Sequence, residues 1–161
     1  MPRIHHIGLA FTLACAATTA VGNVFLLIPG VPGESSDDRH RAWIDVRSLS
    51  IGVANGACSN AIVNKRFDSS SPVLSAAALI GSAYPSMSIE VTSPTDSRQT
   101  YLTYSLTNVT VAAVQASTSE GVLVSESVSL LPTTITISYL PQRPDGSFGT
   151  AISYTLACPK R

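Results

Sequence analysis

Ile44-Asp45-Val46-Arg47-Ser48-Leu49-Ser50-Ile51-Gly52-Val53 changes phase partway along its length. Ile44 and Val46 share one face of an extended chain, whereas Leu49, Ile51 and Val53 have the opposite parity. Side chains alternate with period two, so a slip inside one strand demands a bulge or sharp bend, here near Arg47 and Ser48. Residues 100–116 repeat the device, the phase of Leu102, Tyr104 and Leu106 giving way to that of Val109, Val111 and Ala113. Bends of this kind let a small sheet close into a barrel. Outward from these two segments, turn residues separate further strands expected at 23–28, 61–67, 86–92, 123–130, 133–140 and 151–158. A single helix is expected over 72–82, with Ser70 or Ser71 as its cap, Pro72 in its first turn, and Leu74, Ala77, Ala78 and Gly81 on one face. The fold class expected is all-β: an antiparallel barrel of about eight or nine strands with one short helix packed outside.

Composition agrees with that class. The chain of 161 residues suits one domain, and its 10 glycines and 10 prolines suit a strand-rich domain with many turns. Charged residues make up only 12% and the net charge is zero, so no basic face exists to neutralise a row of phosphates. Nucleic acid is therefore not an expected partner. A surface with so few charges suits a protein that covers much of itself with copies of itself.

The N-terminus reads differently. Arg3 precedes an apolar run, residues 7–21, with small residues at Ala17, Ala20 and Gly22, spaced as a signal peptidase requires. The run falls short of the ~20 residues that span a membrane. Residues 1–22 are therefore expected to be a secretory signal, cut after Ala20 or Gly22, leaving a domain over 23–161 in the periplasm or outside the cell, with no membrane contact. A lipoprotein using Cys15 is the weaker alternative, because Thr12 stands where an aliphatic residue is expected. Losing Cys15 with the signal leaves Cys58 and Cys158, which an oxidising compartment is expected to join. The bond could lie within one chain or staple neighbouring subunits.

Chemistry leaves little trace. His40 is the one histidine beyond the signal, and its polar loop suggests a solvated side chain without an oriented nucleophile. Glu34, Asp37 and Asp38 lack the ligand spacing and tight glycine turn of a calcium loop. No catalytic residue, cofactor or metal ligand is expected, and the chain reads as a non-enzyme.

Several segments resemble the hemolysin-coregulated protein (Hcp) family of type VI secretion. Phe25-Leu26-Leu27-Ile28-Pro29-Gly30-Val31-Pro32-Gly33-Glu34-Ser35 is similar to its opening strand and x-G-E-S loop. His40-Arg41-Ala42-Trp43-Ile44-Asp45-Val46 resembles its H-x-x-W-I-D-V segment, and Asp68-Ser69-Ser70-Ser71-Pro72-Val73-Leu74 its helix start. Tyr139-Leu140-Pro141-Gln142-Arg143-Pro144-Asp145-Gly146 is similar to its Y-x-P-Q-x-x-D-G signature. The resemblance implies a homo-hexameric ring around a wide channel, rings that stack into a tube, and a lumen able to hold small effector proteins. Pro29, Gly30, Gly33, Glu34 and Ser35 then belong to a loop placed to reach a neighbouring subunit. Family members normally lack a secretory signal, so two versions stand: an exported homologue, or a tube subunit held in the cytoplasm before type VI secretion. A monomeric secreted β-barrel binding module is the alternative from another class.

Overall fold

The computed structural model describes residues 22–54, 56–94 and 98–159. The expected signal lies outside these residues except for Gly22. Ten strands and one helix follow in order: β1 (Val24–Leu27), β2 (Ile44–Ser50), β3 (Val53–Ala54), β4 (Ala57–Cys58), β5 (Ala61–Arg66), α1 (Ser71–Ile80), β6 (Ala83–Thr92), β7 (Thr100–Ser117), β8 (Ser125–Leu131), β9 (Thr134–Tyr139) and β10 (Ile152–Ala157).

All named strand pairings are antiparallel. Eight strands form one sheet in the order β10-β9-β7-β6-β1-β2-β5-β8, and β8 returns to pair with β7. That return closes a barrel of six strands. β7 makes closure possible by serving two neighbours in succession: Leu102 to Thr107 pair with β9, and Thr110 to Ser117 pair with β8. β9 and β10 therefore leave the barrel as a two-stranded wing, whereas β3 and β4 form a separate ribbon.

Both expected bends are present. The β2–β5 register shifts between Val46 and Ser48, where the parity slip predicted it. In β7, Asn108 adopts φ +46° and the register against β8 shifts between Val111 and Ala113. Around this bend Leu106, Val109 and Val111 are all buried, although their parities differ. The core joins them to Leu26, Ile44, Val63, Ile89, Val128 and Ile135 from the other strands.

The helix begins one residue earlier than its expected bound and stops at Ile80. Ser70 occupies the cap position but makes no capping bond; its hydroxyl donates to Asp68 instead. Gly81 ends the helix with φ +67°, a left-handed conformation that costs glycine little, and its N–H donates to the Ala77 carbonyl. Ser71, Leu74 and Ala77 face inward, and α1 lies against β7. Among the described residues no helix is long and apolar enough to cross a membrane.

Candidate functional site

Residues 29–43 fold back on their own chain rather than standing free. Gly33 N donates to Ala42 O, Ser35 N to Trp43 O, and Ala42 N to Ser35 O. Gly33 must be glycine, because a Cβ there would lie 2.4 Å from Trp43 O and 2.7 Å from Ile44 Cα. Ser35 is buried. Glu34 remains at the surface, where its carboxylate accepts from Ser69 N at 3.0 Å and ties the loop to the start of α1. Pro29 and Gly30 are exposed at a turn closed by Val31 N donating to Ile28 O. Of the five residues expected to reach a neighbour, Pro29, Gly30 and Glu34 thus face outward, and Gly33 and Ser35 are packed within the chain.

His40 corrects the expectation of a solvated side chain: it is only 2% exposed. Its Nδ1 lies 2.9 Å from Asp37 Oδ1 and its Nε2 3.0 Å from Glu90 Oε2. The ring stacks on Phe25 with centroids 4.0 Å apart and meets Trp43 edge-on. The polar loop sequence hid this because the second carboxylate comes from β6, fifty residues on, and the stacking ring from β1. Each imidazole nitrogen faces a carboxylate oxygen, so neither is free to take a proton from a serine. The Asp37 carboxyl lies below its ordinary value, chiefly because the His40 side chain bonds to it; backbone N–H groups of Arg39 and His40 add to this, and burial opposes it. Arg98 approaches the same carboxylate at 3.3 Å.

Inside one end of the barrel lies a second polar cluster that the sequence reading missed. Lys65 is fully buried. Its Nζ contacts Asp68 Oδ1 at 2.7 Å, Glu126 Oε2 at 2.9 Å, Ser71 Oγ at 2.9 Å and the Arg66 carbonyl at 2.9 Å. Ser71 Oγ also donates to Glu126 Oε2 at 2.7 Å, so the first turn of α1 is fastened to the β5–β8 pair. Glu126 Oε1 is buried with no partner among the described residues. The signal was available: Lys65 has the parity of buried Ala61 and Val63, and Glu126 that of buried Val128 and Leu130.

The wing and the ribbon form the third feature. Cys58, in β4, is bonded to Cys158, which directly follows β10, within one chain; their Cα atoms are 5.2 Å apart. Register places Leu106, Ile135 and Leu156 in one row, Tyr104, Ile137 and Tyr154 in the next, and Leu102, Tyr139 and Ile152 in a third. All three rows lie on one face. The first row begins in the core, but exposure rises outward until Ile152 is 64% and Tyr154 71% exposed. The other face carries hydroxyls, among them Thr136 and Thr155, whose Oγ1 atoms are 2.9 Å apart. Among the described residues only one edge of β10 is paired.

Residues 25–139 match the family model described as type VI secretion system effector, Hcp. The chain belongs to the Hcp family. It is similar to Hcp1 from Salmonella typhimurium, with 27% identity, a TM-score of 0.78, and coverage of 85% of this chain and 94% of that one. A type VI secretion system effector from Yersinia pestis matches at 24% identity and a TM-score of 0.74, covering 83% of this chain and 98% of the other. The secreted protein Hcp3 from Pseudomonas aeruginosa matches at 15% identity and a TM-score of 0.70, covering 87% and 100%. At those lower identities the likeness shows the Hcp fold. No curated protein sequence matches the chain. The family match begins at the second residue of β1 and ends with β9, so β10 and Cys158 lie outside the matched residues.

Proposed function

We propose that this chain is an exported Hcp-family structural protein that closes into a homo-hexameric ring, as a tube component or a secreted product of type VI secretion. The observation that carries the reading is the open edge of β10 beside the exposed apolar face of Tyr139, Ile152 and Tyr154. An unpaired edge with apolar side chains is a template for another chain, and soluble proteins seldom leave one bare. A ring needs two different patches on each subunit, because its contacts run head to tail. The second patch is on α1, where Leu79 is 87% and Ile80 75% exposed. The number six, the stacking of rings and a lumen for small effector proteins follow from the family resemblance. Export is supported by Arg3, the apolar run at 7–21, and a cysteine pair that is bonded in the folded chain.

Light scattering on the full chain, as the cell delivers it, tests the ring. A mass of roughly six subunits at micromolar concentration is expected for a closed cyclic assembly. A single monomer peak would refute it and favour a monomeric secreted binding module.

A further inference from the structure

Among the described residues the β3–β4 ribbon shares no ladder with the eight-stranded sheet. Among the described residues its two strands pair only with each other, through Val53 with Cys58 and Ala54 with Ala57. Its neck is closed locally by Ser59, whose N–H donates to Gly52 O and whose hydroxyl accepts from Gly52 N. Val53 is 57% exposed. The covalent tie to Cys158 is what sets the ribbon beside the end of β10, where Val53, Ala57, Leu156 and Ala157 line a shared groove.

β10 is held almost as lightly. Among the described residues its backbone pairs on one side only, with β9, and five of its six residues are exposed. Just past its end the chain is anchored twice: Cys158 N donates to Thr133 O, and the Cys158 side chain is buried against the core and bonded to Cys58. A strand with one ladder and few buried contacts belongs to the part of a protein that opens at low free energy. The disulfide therefore fixes the same edge that the ring reading offers to a neighbouring copy.

We propose that the Cys58–Cys158 disulfide gates assembly: the oxidised chain presents an ordered β10 edge and a docked ribbon to the next copy, and the reduced chain does not. This rests on the ring reading above. The step that opens the gate is thiol–disulfide exchange with a dithiol reductant. One thiolate attacks a sulfur of the pair and forms a mixed disulfide. The second thiol then closes the reductant into its own disulfide, and Cys58 and Cys158 leave as two thiols. Two electrons pass from the dithiol to the protein disulfide. The gate also has a direction that suits export, since an oxidising compartment closes the bond and a reducing cytoplasm keeps the thiols apart.

The test compares the full chain before and after dithiothreitol, with the freed thiols alkylated by iodoacetamide, by light scattering and by hydrogen exchange read per peptide. The expected result is a ring-sized mass for the oxidised chain and a roughly sixfold smaller mass for the alkylated one. Exchange should become faster at Val53–Ala54, Ala57–Cys58 and Ile152–Ala157 and stay slow in β5 and β8. Rings of unchanged mass after reduction would overturn the gate and leave the ring standing. Monomers in both states would overturn the gate together with the ring. Faster exchange in β5 and β8 as well would also overturn the gate, because the fall in mass would then be unfolding. The C58S/C158S chain, which needs no alkylation, should match the alkylated chain in both measurements; a ring there refutes the proposal independently.

Discussion

Replacing Lys65 with methionine keeps an unbranched side chain, one atom shorter, and removes its charge, so the substitution separates the ion cluster from most of the packing around it. In the folded protein Lys65 Nζ is the cation between Asp68 and Glu126, at 2.7 Å and 2.9 Å, and the Glu126 side chain is fully buried. Glu126 Oε1 already lacks a partner among the described residues. K65M leaves that carboxylate with a hydrogen bond from Ser71 and no opposite charge. Removing one partner of a buried ion pair typically destabilises by about 3–5 kcal/mol, because the remaining charge stays desolvated. For a chain of this size about 1 kcal/mol lowers Tm by ~2–4 °C, so a drop of roughly 6–20 °C is expected. Urea unfolding followed by circular dichroism, alongside a thermal melt, measures it. The sign of the second substitution separates charge from packing. Adding E126Q to K65M removes the stranded charge at constant shape and should recover about 0.5–3 kcal/mol, although E126Q alone destabilises the parent. A K65M chain within about 1 kcal/mol of the parent would refute the reasoning. So would an E126Q substitution that weakens K65M further.

Two other outcomes are expected. The Asp37 carboxyl lies below its ordinary value because His40 bonds to it, so its contribution to stability is fully present above the unfolded value of about pH 4 and fades as pH falls through the lower folded one. The D37N chain should therefore lose stability at neutral pH and show a flatter dependence than the parent as pH falls below about 4, read from urea midpoints at each pH; equal slopes in the two chains would contradict the His40–Asp37 bond. Intact-mass spectrometry of protein recovered outside the cytoplasm should find a mature N-terminus at Val21 or Asn23, and a chain still carrying Met1 would rule out the signal.

The sequence showed the bends of this fold better than its edges. Parity alone placed the β2 bulge, because a strand with one buried face cannot slip by one residue without turning its side chains over. Parity could not show that β7 changes partner along its length. That exchange depends on which strand arrives beside it, and it is what divides eight sheet strands into a six-strand barrel and a wing. His40 and Lys65 were obscured in the same way. Each is polar within a local sequence that looks solvated or merely strand-like, and each is satisfied by a residue more than forty positions away: Glu90 for His40, Glu126 for Lys65. Local pattern reports which face a residue lies on. Whether a charge on the inner face is tolerated depends on a partner that only the closed barrel brings near.

The division into barrel and wing also explains why a cysteine pair sits where it does. The barrel strands lie in a closed ring of ladders, and the Lys65 cluster fastens α1 to β5 and β8 from within. The wing has no such closure. In a subunit that assembles where it is made, a neighbour covers an exposed edge soon after folding. On the reading of an exported chain, the mature protein must fold and travel before it meets another copy, and Ile152 and Tyr154 stay bare throughout. A disulfide spanning a sequence separation of 100 acts during that interval: it restricts the unfolded chain, worth about 4.7 kcal/mol in the chain-entropy account, and anchors the end of β10 when no partner is present. A cross-link within the barrel would offer the same entropy and leave the edge loose. Placing it between the ribbon and the strand after β9 puts the constraint on the part of the fold that closure does not reach.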